Sequence, residues 1–314
     1  MPDSLDAQRP YHLPVMLAEC LEGMSLQPNG VYVDVTFGGG GHSRAILEHL
    51  GEGGRLLAFD QDDDAAANAK AINHPAFTFV KANFRYLQRF LRLHGVKQVD
   101  GILADLGVSS HQIDEATRGF STRYEGALDM RMDQSLPTTA RDVVNDYSES
   151  DLHRILGMYG EIKNARTAAA ALVSARTNRP LETSTDLREA LQRLAPKGRE
   201  AKYLAQVFQA LRIEVNEEMV VLEEFLPQAA DVLKPGGRLV VMSYHSLEDR
   251  LVKNFIAKGK VHGELEKDFY GNPIKPLDAI TRKPVSATAE EIARNNRARS
   301  AKLRIAEKRS EMKK

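Results

Sequence analysis

Two carboxylates, a glycine turn and a polar loop supply the residue types from which a site could be built. Asp60 ends the apolar run Leu56-Leu57-Ala58-Phe59, and Asp105 ends Gly101-Ile102-Leu103-Ala104. Residues 31–42 read Val-Tyr-Val-Asp-Val-Thr-Phe-Gly-Gly-Gly-Gly-His, and Ser243-Tyr-His-Ser-Leu-Glu-Asp-Arg250 follows another apolar run. Glycines let a backbone approach a ligand closely, and a carboxylate 20 residues after Gly40 is spaced to accept hydrogen bonds from both hydroxyls of a ribose. Gly38 and Gly40 match the first positions of Gly-x-Gly-x-x-Gly, with Ser43 in the third. A cofactor containing a nucleoside is expected here. Phe84, just past the run Phe77–Val80, is placed to lie on an adenine ring or to pack in a core. Asp105 precedes Leu106-Gly107-Val108-Ser109-Ser110, a small-residue loop able to lie against a substrate.

These residues need a parallel sheet beneath them. Val31, Val33 and Val35 are β-branched and follow Pro28-Asn29-Gly30, so they read as a strand, and Ser43–Leu47 opens a helix behind the glycines. Runs at 56–59, 77–80, 101–105 and 238–242 supply four further strands. Asp60, Phe84, Asp105 and the Ser243–Arg250 loop then fall at carboxyl ends, the rim where open α/β sheets bind ligands. Lys234-Pro-Gly-Gly237 is expected to stop the preceding helix. Asp62–Asp64 reads as a helix start favoured by the macrodipole rather than as a metal site, and no metal is expected. Residues 259–285 read as loop, and Arg297–Ile305 alternates as an outer strand could. His12 is a capping or packing residue, with a catalytic role as the alternative.

A long stretch after the fourth strand breaks the βα rhythm. Leu152, Ile155, Leu156 and Tyr159, then Leu187, Ala190, Leu191 and Leu194, then Leu204, Val207, Phe208 and Leu211 form helical stripes. Ser148 with Asp151 resembles a capping box. The expected organisation is a discontinuous α/β domain over 1–112 and 205–314, interrupted by a helical domain over 113–204.

Composition sets bounds but names no partner. The 314 residues carry 43 basic and 43 acidic side chains, yet residues 282–314 alone hold eleven Lys/Arg against four Asp/Glu. Cys20 is the single cysteine, which excludes an internal disulfide and fits a reducing compartment. No apolar run approaches the roughly 18 residues of a membrane span, and the N-terminus lacks a basic-then-apolar signal, so a cytoplasmic location without membrane contact is expected.

The cofactor is chosen by later features. A dinucleotide would set its pyrophosphate on the helix after the glycines, but the catalytic His in a separate substrate domain that a nicotinamide oxidoreductase would more often show is not evident. Lys-Pro-Gly-Gly before strand five and a polar loop beyond strand four resemble class I methyltransferases. A Ser-His-Asp hydrolase reading of Ser243, His245 and Asp249 lacks the Gly-x-Ser-x-Gly elbow.

Six motifs make the resemblance specific: Phe37-Gly-Gly-Gly-Gly-His-Ser43, Asp105-Leu-Gly-Val-Ser-Ser110, Gly119-Phe-Ser121, Leu128-Asp-Met-Arg-Met-Asp133, Phe208-Gln-Ala-Leu-Arg-Ile213 and Ser243–Arg250. In this order the chain resembles the RsmH (MraW) family, which methylates the exocyclic N4 of a decoding-region cytidine in bacterial small-subunit ribosomal RNA. The resemblance implies a class I, Rossmann-like S-adenosylmethionine-dependent fold with an inserted helical domain. It implies cofactor contacts at Gly40, Gly41, His42, Asp60, Phe84, Asp105 and Gln112. It also implies 16S rRNA within the 30S subunit as partner, with a homodimer left open. His111 and Asn296 stand where the family usually has proline, and Ile162–Arg166 lacks the family's Arg-Phe-Ala-Lys.

For such a transfer the cytosine amine is a poor nucleophile, so an acceptor for its protons is needed. Asp105, or the carbonyl beside it, is placed for this. Tyr244 and His245 are candidates to hold the unpaired base; the alternative for His245 is a hydrogen bond closing the strand-five turn. Arg297, Arg299, Lys302 and Arg304 are candidates for phosphate contacts.

Overall fold

The computed structural model describes residues 14–310, so His12 lies outside the described residues. Seven strands form one sheet: β1 Val31–Asp34, β2 Arg55–Asp60, β3 Phe77–Lys81, β4 Val99–Asp105, β5 Leu233–Ser243, β6 Leu277–Ala279 and β7 Lys302–Lys308. Their order is β3-β2-β1-β4-β5-β7-β6. The first five are parallel to their neighbours, β7 runs antiparallel to β5, and β6 antiparallel to β7. Chain order reverses between β1 and β4, and this switch point opens a crevice at the carboxyl ends of the strands. The central strands are apolar on both faces: Val33, Leu56, Leu57, Phe59, Ile102, Leu103 and Ala104 are fully buried, as sheets covered on both sides require.

Three details of the sheet differ from the expectation. β5 starts at Leu233, so Lys234-Pro-Gly-Gly237 lies within the strand as an irregularity between the pairs Val99–Leu233 and Gly101–Arg238. Asp100 pins this irregularity, accepting from the Val31 N–H at 2.8 Å and from Lys234 Nζ at 2.7 Å. The stretch expected to be all loop contains β6, whose three residues are too few to show an alternation. Finally, Asn296–Ser300 is a 3₁₀ turn, and the strand expected at the outside begins at Lys302 and lies between β5 and β6.

The first helix spans Leu17–Met24. Its N-cap, Met16, is fully buried and held left-handed at φ 50°, ψ 42°. For an L-residue that conformation costs roughly 1–2 kcal/mol.

Residues 108–221 form a second compact unit, apart from the unit of 1–107 and 222–314. The expected span of 113–204 is therefore too narrow. Helix Glu200–Asn216 turns Tyr203, Val207, Phe208 and Leu211 into this unit's core, alongside Leu152, Ile155, Leu156, Leu187 and Leu191. Its helices are capped as local chemistry predicts: Thr139 pairs reciprocally with Asp142, Thr183 with Asp186, and Ser148 Oγ accepts from the Asp151 N–H. The motif Leu128–Asp133 has no helical or strand period because side chains hold it instead. Asn216 donates to the Met130 carbonyl and accepts from the Met132 N–H, both at 2.7 Å.

Candidate active site

The crevice is built from carboxylates at three neighbouring strand ends: Asp34 on β1, Asp60 on β2 and Asp105 on β4. Asp105 is fixed from three directions. Its N–H donates to Thr36 Oγ1 at 2.7 Å, its Oδ1 accepts from the Tyr244 hydroxyl at 2.8 Å, and its Oδ2 lies 3.7 Å from His42 Nδ1. With Oδ1 committed to Tyr244, Oδ2 is the oxygen left for another proton. Burial raises the Asp105 carboxyl to about 6, against the pull of His42 and Tyr244, with Asp34 and Glu248 raising it further. A carboxylate near 6 is still ionised at pH 7 but more basic than an ordinary one, as general-base work requires. The same contact pushes the Tyr244 phenol up: burial first, then the Asp105 charge. Tyr244 is thus a neutral hydrogen-bond donor.

His42 is buried on helix Gly41–Leu47, and its Nε2 lies 3.1 Å from the Val15 carbonyl. A carbonyl only accepts, so Nε2 carries a proton and Nδ1 faces Asp105 as the second site. Ser43, noted in the sequence as the third position of the glycine motif, and Thr36, which no motif argument singles out, hold the floor. Ser43 Oγ donates to Asp34 Oδ2 at 2.7 Å, and the Thr36 N–H to Asp34 Oδ1 at 3.1 Å. The available signal was Asp34 itself, a charged residue ending an apolar strand at the same level as Asp60 and Asp105.

Asp60 is locked to the glycine turn. Its Oδ2 accepts from the Gly38 N–H at 2.8 Å and its Oδ1 from the Asp62 N–H at 3.0 Å. Each carboxylate oxygen keeps a further lone pair for a hydroxyl donor. Burial lifts Asp60 to about 6, against those two N–H bonds, while Asp62 and Asp34 raise it further. Gly38 and Gly40 have φ of 52° and 77°, the left-handed conformation glycine adopts without strain. Gly39 is different: a Cβ there would meet nothing within 4 Å. The protein itself does not require a glycine at 39, whereas a ligand lying on the turn does. Phe84 follows β3, half-buried, its ring edge-on to Phe225 at 5.1 Å, and Asn83 beside it donates to Gln61 Oε1 at 2.9 Å. A nucleoside cofactor fits this wall of turn, carboxylate and aromatic ring. A pyrophosphate would meet the field of three carboxylates, while a sulfonium cation is drawn to it.

Other expected site residues have different placements. His245 is the N-cap of helix Ser246–Lys258; its Nδ1 accepts from the Glu248 N–H at 3.4 Å, and Glu248 Oε2 accepts from the Tyr244 N–H at 2.8 Å. This capping box closes the β5 turn, the structural alternative to a base-holding role. Gln112 lies in the second unit, buried, with Oε1 accepting from the Ser109 N–H at 2.9 Å in another capping box. Arg304 is 8% exposed and grips Asp249 with Nε and Nη2 at 2.7 and 3.2 Å, so its charge is turned inward. That corrects its grouping with surface cations: both faces of β7 are covered, so Arg304 is buried like Leu303 and Ile305 beside it. Arg299 and Lys302 are exposed. Antiparallel pairing sets Lys302 opposite Ser243, which brings the Asn296–Ser300 turn to the rim that carries Tyr244.

The model of the MraW methylase family matches residues 9–309. The ribosomal RNA small subunit methyltransferase H of Cytophaga hutchinsonii is 60% identical over 298 residues, 95% of this chain and 99% of that protein. Its namesake from Bacteroides thetaiotaomicron is 57% identical, covering 95% and 97%. Among solved structures, a putative rRNA-methylase from Clostridium thermocellum is similar at 13% identity and a TM-score of 0.44, covering 95% of this chain and 99% of that one.

Proposed function

We propose, from the premise that this chain belongs to the MraW methylase family, how its residues carry out S-adenosylmethionine-dependent methylation of a 16S rRNA cytidine at N4. The target we propose is the decoding-region (P-site) cytidine, reached in the 30S subunit in the cytoplasm. Among the described residues, no helix is long and apolar enough to cross a membrane. The observation that carries the reading is Asp105: a fixed carboxylate of raised basicity, beside a glycine turn that Asp60 ties to the nucleoside wall.

When bound, S-adenosylmethionine supplies a methyl group on a sulfonium. Gly38–Gly41, Asp60 and Phe84 would hold its adenosine part, and Asp34 and Asp105 the charge at its reacting end. Asp105 Oδ2 accepts a hydrogen bond from the cytosine amine, which keeps the nitrogen lone pair from delocalising into the ring and aims it at the carbon. As the nitrogen becomes cationic, Asp105 takes its proton. Tyr244 steadies Asp105 throughout, and the Ser243–Arg250 loop it belongs to forms the wall for the base. Arg297, Arg299 and Lys302 would bind phosphates from the end of β5.

Calorimetry with S-adenosylmethionine and NAD, followed by mass spectrometry of 16S rRNA from cells with and without the gene, tests the reading. Binding of the first ligand only and loss of one cytidine methyl group on deletion are expected. Binding of NAD, or rRNA unchanged by deletion, would sink it. Replacing Arg299 and Lys302 with alanine should lower the slope of log affinity for RNA against log salt by about one for each phosphate left without its cation. Arg304→Ala should instead destabilise the fold by leaving Asp249 only its longer contact to Lys302 Nζ at 3.8 Å. An unchanged slope would make the first two an ordinary solvated edge.

A further inference from the structure

The buried, left-handed Met16 is held by a distant side chain. Glu291 Oε1 accepts the Met16 N–H at 2.6 Å, although the two residues are 275 positions apart. That hydrogen bond belongs to the Val15–Met16 peptide, whose other end, the Val15 carbonyl, accepts from His42 Nε2 at 3.1 Å. His42 Nδ1 then faces Asp105 Oδ2 at 3.7 Å. Glu291 sits on helix Ala289–Arg294, where Thr288 Oγ1 accepts its N–H at 3.2 Å. Ile292, Val285 and Ala287 pack on the same core cluster as Val15, Met16 and Cys20. One peptide plane is thus clamped between the helix that precedes Arg297 and the imidazole behind the catalytic carboxylate. Apart from Glu291, the charged and titratable groups around this peptide and imidazole are Asp34 and Asp105 at the strand ends, Tyr244 on Asp105, Glu19 and Cys20 on helix Leu17–Met24, and Glu248 beyond β5.

We propose that Glu291 is a positioning residue for methyl transfer, one that sets the tautomer of His42 through the Val15–Met16 peptide. The proposal rests on the reading of Asp105 as acceptor of the amine proton. By fixing the Val15 carbonyl against Nε2, Glu291 keeps the proton there and leaves Nδ1 as an acceptor directed at Asp105. In the transfer, the bond from the cytosine nitrogen to the methyl carbon forms as the carbon–sulfur bond breaks, and the electron pair of that bond stays on sulfur. The nitrogen sheds one proton to Asp105 Oδ2, and His42 Nδ1 takes it on, which returns Asp105 to its ionised form. The gap of 3.7 Å must close by less than 1 Å for that second hop, and apo sites are often looser than loaded ones.

The clamp also gives the C-terminal basic segment a route to the chemistry. Helix Ala289–Arg294 runs directly into the turn bearing Arg297 and Arg299.

The test compares Glu291→Ala, Glu291→Asp and Glu291→Gln in the full chain. Glutamine can still accept the Met16 N–H through its amide oxygen; alanine cannot, and aspartate is one methylene too short. Nitrogen-15 chemical shifts of the His42 imidazole in the cofactor-free protein should report the Nε2–H tautomer in wild type and E291Q, and a mixture in E291A and E291D. With saturating cofactor, kcat on small subunits should fall about tenfold in E291A and E291D. The acid limb of the pH profile should move down by about half a unit, because the Nδ1–H tautomer these variants admit donates to the Asp105 carboxylate and favours its ionised form. E291Q should restore both. If E291A does not fold, E291D decides. A wild-type tautomer and profile in the shortened variants overturn the role of Glu291. Normal turnover by an Asp105 variant would instead overturn the reading beneath it.

Discussion

Asp105→Asn is expected to yield a folded, slightly more stable protein that has lost methyl transfer by about a thousandfold, the middle of the range for removing a positioned general base. Asparagine keeps the shape: its Oδ1 can accept from Tyr244, and its amide faces His42 Nδ1. What it lacks is a lone pair able to take a proton from the amine. The stability gain follows from linkage. The Asp105 carboxyl sits at about 6 in the native state against 3.8 for the ordinary side chain, so roughly two pH units at about 1.4 kcal/mol each oppose folding at neutral pH. The side chain is 23% exposed, so water screens part of this, and a gain of about 1–2 kcal/mol is expected, a rise in Tm of several degrees. The sign fixes a pH window. The group does not oppose folding below 3.8, and stability falls as pH rises from there through about 6. Asp60 adds a second contribution of the same sign. Denaturation between pH 4 and 7 should therefore show a decline for wild type that is shallower in the variant. A variant that turns over at near wild-type rate with saturating cofactor refutes Asp105 as the proton acceptor.

Asp60→Asn should do the opposite to the kinetics. S-adenosylmethionine affinity should drop by roughly a hundredfold, because two hydrogen bonds to a charged acceptor are worth about 1.5–3 kcal/mol each and the amide keeps only part of them. kcat at saturation should change by only a few-fold. In wild type, hydroxyl donors and the cofactor's positive charge favour the ionised carboxylate, so binding releases a proton near pH 6 and weakens as pH falls below it. Titration calorimetry at pH 6 in two buffers of different ionisation enthalpy measures that release. The variant should release less, and its affinity should be flatter from pH 5 to 7. Equal affinity in both proteins would remove Asp60 from the cofactor wall.

Much of this architecture could be read in the linear chain, for a physical reason. Buried parallel strands are short apolar runs, and a polar residue that ends one is set at the rim, so Asp60 and Asp105 announced their positions. The Ser148 N-cap over Asp151 and the stripe through Val207 and Leu211 are local and were legible as well. The limits of the helical unit were less so, because a helical stripe does not say which core it enters. Arg304 falls among the surface cations on sequence alone because spacing cannot tell a strand covered on both faces from one at the sheet's edge. Asp249, 55 residues earlier, decides it. The clamp of Glu291 on Met16 left no local trace, since neither the left-handed backbone nor a partner 275 positions away shows in spacing.

The pairing of β4 with β5 joins Gly101 to Arg238, with the whole helical unit strung between them. During synthesis the first four strands emerge well before their neighbour. At roughly 5–20 residues per second, the apolar edge of β4 waits on the order of ten seconds for its partner. Such an edge is a template for strand addition by other chains. Nascent copies of this protein should therefore depend on chaperone shielding in that interval, and forms truncated before residue 233 should aggregate rather than persist as half-sheets.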